Sequence, residues 1–215
     1  MSKSVFIYGS GGHGRVIADI LISQKKKVLG FIDDDSSKWG KNNSGYEVIG
    51  YDVFLELKGE VDFWVIIGIG DNGVRKHVAA NREIAGKARF DTAVHSSVVI
   101  GRNTSIGQGT VVMAGAVINC GSTIGQHVII NTGACVDHDC KIDEFVHISP
   151  GAHLGGGVSV GAGSWIGQGA SIINNCRIGK NVIVGMGAVV IRDIPDSWVV
   201  AGNPARFLKM NKGHN

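Results

Sequence analysis

The sequence predicts two architectures in succession: a small α/β domain over residues 1–93 and a parallel β-helix over residues 94–195, with a closing segment over residues 196–215. Three observations predict them. An apolar run, Val5 to Tyr8, ends in the turn Gly9-Ser-Gly-Gly-His-Gly14 and leads into a helical pattern. From Val94 to Val190, every sixth residue is Val, Ile or Leu, 17 positions without a break. Finally, 33 glycines stand beside only 3 prolines in 215 residues, which fits a chain that turns often.

Composition sets the outer limits. An apolar share of 44% excludes disorder, and the glycines follow no collagen period. The net charge of +3 is spread over scattered lysines and arginines, which gives no nucleic-acid footprint. The one cationic run, Lys25-Lys26-Lys27, reads as a solvated helix end. No stretch has membrane-spanning length and no signal-peptide core follows Met1, so the expectation is a cytoplasmic protein without membrane insertion. Cys120, Cys135, Cys140 and Cys176 form no C-x-x-C pair, so neither a redox motif nor a zinc ribbon is signalled.

In the first half, Val16, Ile17, Ile20 and Leu21 recur at helical spacing after the glycine turn. Val28 to Ile32 reads as a second strand closed by Asp33-Asp34-Asp35, and residues 36–46 as a polar loop. Phe63 to Ile69 has the continuous hydrophobicity of a strand buried on both faces. Residues 72–85 look helical, and residues 88–94 return as a strand. Strands and helices alternating in so short a span predict a parallel sheet, a Rossmann-like half-fold.

In the second half, a second series sits two residues before each aliphatic: Thr104, Thr110, Ala116, Ser122, Val128, Ala134, Cys140, Val146, Ala152 and on to Ala188. These are small or β-branched. The large aliphatic is expected to point inward, and the small residue to let the chain approach the axis. Gly or Asn directly after many of the aliphatics is expected to supply the corner conformation. Three units close one triangular coil, and coils must stack because no unit buries its own face. Seventeen units build a prism about 27 Å tall at the ~4.8 Å strand spacing. Cys140 and Cys176 fall in the small inward slot and read as core fillers.

Two places could carry chemistry. His138 lies between Asp137 and Asp139, two positions past inward Val136, so it projects from the wall or corner. A neighbouring carboxylate can bond one ring nitrogen, fix the tautomer and raise the basicity of the other, which makes a general base. A zinc site is the rival reading. His127, His138, His147 and His153 are separated by 11, 9 and 6 residues, not the multiples of 18 that align ligands on neighbouring coils, so no metal is assigned. The second place is the glycine turn, Gly9, Gly11, Gly12 and His13, where a helix N-terminus can cradle a phosphate. Asp33, Asp34 and Asp35 follow about 20 residues on, where such folds contact a ribose or base. Ninety residues supply only one mononucleotide-binding half, which suits a nucleotide sugar better than a dinucleotide.

The six-residue repeat is similar to that of the hexapeptide-repeat proteins, which implies a left-handed β-helix and a homotrimer with active sites between neighbouring prisms. Gly-x-Gly-Gly-His-Gly joined to such a prism carrying Asn131-Thr-Gly-Ala-x-Val-x-His138-Asp139-Cys140 narrows this further. The chain resembles, over nearly its whole length, the sialic acid O-acetyltransferase (NeuD-type) family, closest to its nucleotide-linked 4-amino-sugar N-acetyltransferases of bacillosamine and perosamine type (PglD/PerB-like). The resemblance implies an acetyl-CoA-dependent acetyltransferase with His138 as general base, Asp139 orienting it and Asn131 near the sugar amine. It implies that His147 sits near the thioester, that the Gly155-Gly156 backbone lies along the pantetheine arm, and that Gly12, His13 and Asp33 to Asp35 meet the nucleotide sugar. Residues 196–215 would cover coenzyme A, with Arg177, Lys180, Arg192 and Arg206 as candidates for its phosphates. O-acetylation of a sugar hydroxyl and a non-catalytic binding module remain open at this point, as does the identity of the sugar and nucleotide.

Overall fold

In the computed structural model, which describes residues 3–57, 63–81 and 89–213, the chain divides into two compact units, Met1–Ser96 and Ser97–Asn215. The first unit is built from β1 (Ser4–Tyr8), α1 (Gly12–Ser23), β2 (Lys27–Ile32), β3 (Asn42–Asn43), β4 (Tyr46–Ile49), α2 (Tyr51–Glu56), β5 (Trp64–Ile67), α3 (Asn72–Ala80) and β6 (Arg89–Phe90). Its sheet order is β3-β4-β2-β1-β5-β6, parallel except for the β3–β4 hairpin. Val5, Ile7, Val65, Ile66 and Ile67 are fully buried, as continuous apolar runs in a two-sided parallel sheet require. Beneath it Phe6, Phe54 and Phe63 meet edge to face.

Three expectations are corrected here. Residues 36–46 are not a plain loop, because Asp35 caps a 3-10 turn, Ser36–Lys38, and β3 then pairs back on β4. The lysine run is not simply solvated. The helix ends at Ser23, and Lys26 turns back so that its Nζ lies 2.5 Å from Asp91 Oδ2 and 2.8 Å from the Thr92 carbonyl. Helix α3 stops at Ala80 with Asn81 as its cap, residues 82–85 of the expected helix and residue 88 of the expected strand lie outside the described residues, and that strand is broken, β6 ending at Phe90 and a separate strand covering Ala93–Val94. No helix among the described residues is long and apolar enough to cross a membrane.

The second unit is a parallel β-helix of two-residue strands, each pairing with the strand 18 residues on. Three faces result, named here for an outward residue. The Trp165 face stacks Val111, Ile129, His147, Trp165 and Ile183; the His153 face stacks Val99, Val117, Cys135, His153, Ser171 and Val189. The Lys141 face stacks Ser105, Thr123, Lys141, Ser159 and Arg177. The expected inward aliphatics are buried, from Val112 to Val190, whereas Ile100 in the first coil is 44% exposed. Cys140 and Cys176 are buried fillers, and burial raises both thiol pKa values, that of Cys176 to about 11.

The corner conformation falls elsewhere than expected. Positive φ occurs three residues after the inward aliphatic, at Gly121, Gly133, Asp139, Gly151 and Gly157, for example. The glycines directly after the aliphatic serve a different purpose, because there the coils come too close for a side chain. A Cβ on Gly101 would stand 2.3 Å from the Cys120 nitrogen. Above the closing coils, Trp198–Ala201 extends the Trp165 face and pairs antiparallel with Arg206–Met210.

Polar residues in the small slot tie corners together. The buried Ser122 hydroxyl donates to the Asp137 carbonyl (2.8 Å) and accepts from the Cys140 N–H (3.0 Å), bridging both ends of the Asp137–Asp139 corner. Ser122→Ala leaves both groups buried without that partner and should cost about 1–3 kcal/mol. A lower urea midpoint checks this, and an unchanged midpoint would contradict it.

Candidate active site

His138 stands on the corner between the His153 and Lys141 faces, exposed and held from two sides. Asp139 adopts φ +58°, the left-handed conformation that Asp tolerates better than most residues. This turns its carboxylate back so that Oδ2 lies 2.9 Å from His138 Nδ1. The contact fixes Nδ1–H as donor and leaves Nε2 free to accept a proton. Asp137 plays a separate part. Its Oδ1 accepts the Asn119 amide and the His138 backbone N–H, both at 2.8 Å, so it shapes the corner rather than gripping the ring. The Asp139 bond first, then the field of Asp137, raises the His138 pKa above its ordinary value.

One coil above lies Gly156, and the fit is close. A Cβ built there would fall 2.6 Å from both Cε1 and Nε2 of His138, and the nearest heavy atoms all belong to that ring. Glycine here makes the seat in which the imidazole rests. Next to it, a Cβ on Gly155 would meet Asn174 Oδ1, so this corner keeps its backbone bare. Farther up the same corner sit Asn174 and, three coils above His138, exposed Arg192.

Asn131 and His147 are together, but on a different corner, where the Trp165 face meets the His153 face. Asn131 Nδ2 lies 3.1 Å from His147 Nε2, and the His147 ring stacks on Trp165 at 6.0 Å. One whole side of the coil separates this pair from His138 in the same chain. Arg177 and Lys180 line a groove on the Lys141 face, while Arg206 sits on the terminal hairpin with its guanidinium on the Ala205 carbonyl. Among the described residues, no group of three or more His, Cys, Asp or Glu could hold a metal ion.

The first unit carries a cleft of about 350 Å³ where β1 and β5 end, the switch point at which open α/β sheets bind ligands. Gly9, Gly11, Gly12, His13, Asp33 and Asp34 line it. Gly9 takes φ +105°, and a Cβ on Gly14 would fall 2.1 Å from the Gly9 carbonyl oxygen, so α1 can begin this close to β1 only without a side chain. The aspartates are unequal. Asp33 accepts from the Ser10 N–H, the Ser10 hydroxyl, the Asp35 N–H and Lys38; burial would raise its pKa, but these bonds hold it below the usual range. Asp34 accepts the Tyr8 hydroxyl at 2.7 Å, and Asp35 caps its turn. His13 is kept neutral: burial, then the charge of Arg75, lowers its pKa to about 4. Its Nε2 is buried with no hydrogen-bond partner among the described residues.

Sequence reasoning missed part of this cleft. Gly68-Ile69-Gly70 forms the opposite wall, and Arg75, only 1% exposed, donates to the Ile69 and Gly70 carbonyls and to Asn72 Oδ1. The apolar strand followed by Gly-Ile-Gly-Asp was the available signal. Trp165 and Gly156's role as a seat were also missed, and only the 18-residue register exposes them.

A glycine-loop α/β unit ahead of a six-residue-repeat prism with a histidine on its corner defines a class, the bacterial hexapeptide transferases. Residues 4–81 match the PglD N-terminal domain, and residues 157–192 match the bacterial transferase hexapeptide (six repeats). The acetyltransferase domain of PglB from Neisseria gonorrhoeae FA1090 is 38% identical, with TM-score 0.87, over 96% of this chain and 100% of that one. PerB from Caulobacter crescentus, solved with CoA and GDP-perosamine, is 37% identical, with TM-score 0.89, over 96% of this chain and 97% of that one. A UDP-N-acetylbacillosamine N-acetyltransferase of Bacillus subtilis (strain 168) is 41% identical over 109 residues, and the chain matches about half the length of that curated relative. The chain belongs to the PglD/PerB-like family of hexapeptide-repeat sugar N-acetyltransferases.

Two predictions follow from the geometry at His138. Gly156 has no left-handed φ, so Ala fits its backbone and only the ring must move. Gly156→Ala should therefore fold normally yet lose about 10²-fold in kcat, the scale of a small misplacement of a reacting group; unchanged kcat would refute the seat. A base works deprotonated, so if His138 serves as one, the rising limb of the pH profile follows its pKa, which the Asp139 bond raises. In Asp139→Asn that limb should move to lower pH with a reduced plateau, and an unmoved limb would remove Asp139 from this role.

Proposed function

We propose that this protein transfers the acetyl group of acetyl-CoA directly to the 4-amino group of a nucleotide-linked amino-deoxysugar, with His138 as general base. The observation that carries this reading is the His138–Asp139 pair at 2.9 Å, with Nε2 turned outward over the bare Gly156 corner. The relatives support the choice of acceptor: one is named for UDP-N-acetylbacillosamine, another was solved with GDP-perosamine. The cleft on the first unit has features that suit a nucleotide diphosphate, namely the start of α1, which no side chain caps among the described residues, and a neutral His13.

In the reaction the neutral amine attacks the thioester carbonyl. The N–C bond forms, His138 Nε2 takes the amine proton, the C–S bond breaks, and the proton passes to the departing thiolate of CoA. Asp139 stabilises the imidazolium formed in between. The bare backbone of Gly155 and Gly156 gives the pantetheine arm a surface without side chains, and the segment over residues 196–215 covers the coenzyme.

The working form is a homotrimer with its sites between subunits. Two prism faces present apolar side chains outward, among them Val99 and Trp165, and Met186 on the corner between them is 74% exposed. The Lys141 face is polar. In a three-fold assembly, His138 of one subunit meets Asn131 and His147 of the next, which joins the two corners that a single chain keeps apart.

His138→Ala should lower turnover by about 10²–10⁴-fold, the usual contribution of a positioned base. The KM for the nucleotide sugar should barely change, because the cleft of the first unit is untouched. Thioester release against a panel of UDP-, GDP- and dTDP-linked amino sugars measures both, and near-wild-type turnover would contradict the assignment.

A further inference from the structure

One cation of the first unit lies behind the nucleotide cleft and not in its lining. Arg75 is 1% exposed and, among the described residues, the bulkiest side chain buried to that degree. Burial lowers its pKa to about 10, against the opposing charge of Asp71, so it remains charged at neutral pH. A buried guanidinium is unfavourable unless its N–H groups are bonded. Here Nη1 donates to the Ile69 carbonyl at 3.1 Å and the Gly70 carbonyl at 3.0 Å, and Nη2 donates to Asn72 Oδ1 at 2.8 Å. One side chain thus fastens the connection from β5 to the first residue of α3.

That connection is the wall of the cleft, which Gly68, Ile69 and Gly70 line. Because the Ile69 and Gly70 carbonyls are drawn to a side chain in the interior, their oxygens turn away from the space an anion would occupy. In a planar trans peptide the N–H points opposite to the C=O. The Ile69–Gly70 peptide therefore directs the Gly70 N–H away from Arg75, and among the described residues that N–H donates to no backbone carbonyl. Charge acts in the same direction as geometry. A cation held behind the wall is less screened than one in solvent and attracts an anion across several ångström. Its field reaches the cleft: after burial, the charge of Arg75 is what lowers the pKa of His13, which lines the same space.

We propose that Arg75 is a positioning residue for the diphosphate of the nucleotide sugar, turning the Ile69 and Gly70 carbonyls inward and placing a buried positive charge behind the wall without touching the ligand. The inference rests on the proposed nucleotide-sugar acceptor and adds a group that the lining of the cleft does not contain. Lysine cannot take its place, because one ammonium lacks the planar fork that reaches three acceptors at once.

The test compares full-length wild type with Arg75→Met, which removes charge and fork, and Arg75→Lys, which keeps the charge alone. Ligand-observed NMR titration gives the Kd of UDP, GDP and dTDP and of their nucleosides. For the diphosphate that wild type binds, Arg75→Met should raise Kd about tenfold, the scale of one charge acting over several ångström at an effective dielectric near 20. The matching nucleoside should barely move, and Arg75→Lys should fall between wild type and Arg75→Met. In turnover, the nucleotide-sugar KM should rise in step while kcat and the acetyl-CoA KM stay level. An unchanged diphosphate Kd would overturn the proposal. So would equal weakening of diphosphate and nucleoside, which is what a merely collapsed wall produces. If Arg75→Met does not fold, Arg75→Lys decides by the same two criteria. If wild type binds none of the three diphosphates, the nucleotide reading itself fails and the proposal with it, an outcome distinct from any loss confined to the variants.

Discussion

Every coil of the prism rests on the coil below through backbone bonds such as Cys135 N–H to the Ala152 carbonyl and Asp137 N–H to the Leu154 carbonyl. This stacking forces residues 18 apart into a column, and the consequences reach each functional feature. His138 lies under Gly156 because the spacing puts it there. Lys141 and Arg177 share a column for the same reason, as do His147 and Trp165. The inward aliphatics supply the driving force, since buried Val, Ile and Leu gain about 1.5–3 kcal/mol each. The register they impose then leaves the corners free to vary. At one corner that freedom is used to hold a carboxylate against an imidazole.

The corner also shows how local conformation and chemistry are linked. Most corners place Gly in the left-handed position, as at 121, 133, 151 and 157. At 139 it is Asp, which accepts the backbone strain and gains the bond to His138 Nδ1. Exposure keeps His138 accessible, and its raised pKa makes it a stronger base once deprotonated. In the first unit the logic is reversed. Burial and Arg75 hold His13 neutral, and the residue lines a cleft together with Gly9, Gly11 and Gly12.

Much of this was legible in the residues. An unbroken six-residue period has one structural solution, so the inward aliphatics and the core roles of Cys140 and Cys176 could be read directly. The glycine turn before α1 announced its cleft because only glycine tolerates the 2.1 Å approach at Gly14. The rest depended on information that is not periodic. Lys26 could not be paired with Asp91 from sequence, because the two are 65 residues apart and meet only after folding. The unequal roles of Asp33, Asp34 and Asp35 arise from Ser10, Tyr8 and Lys38, which lie on separate segments. Arg75 was hidden for the same reason: a cation in a helical pattern reads as surface, whereas its partners are loop carbonyls.

The register places His138 and the Asn131–His147 pair on separate corners, and the proposed trimer would bring them together, which makes a lone chain half a site in that reading. Subunit mixing tests this most directly. His138→Ala and the double variant Asn131→Ala/His147→Ala are each expected to be nearly inactive. Equal amounts, unfolded together and reassembled, should regain about a quarter of wild-type activity, because a quarter of adjacent pairs in random trimers then unite both intact corners. Mixed assemblies that remain as inactive as either parent would place the whole site within one chain and rule out a site shared between subunits.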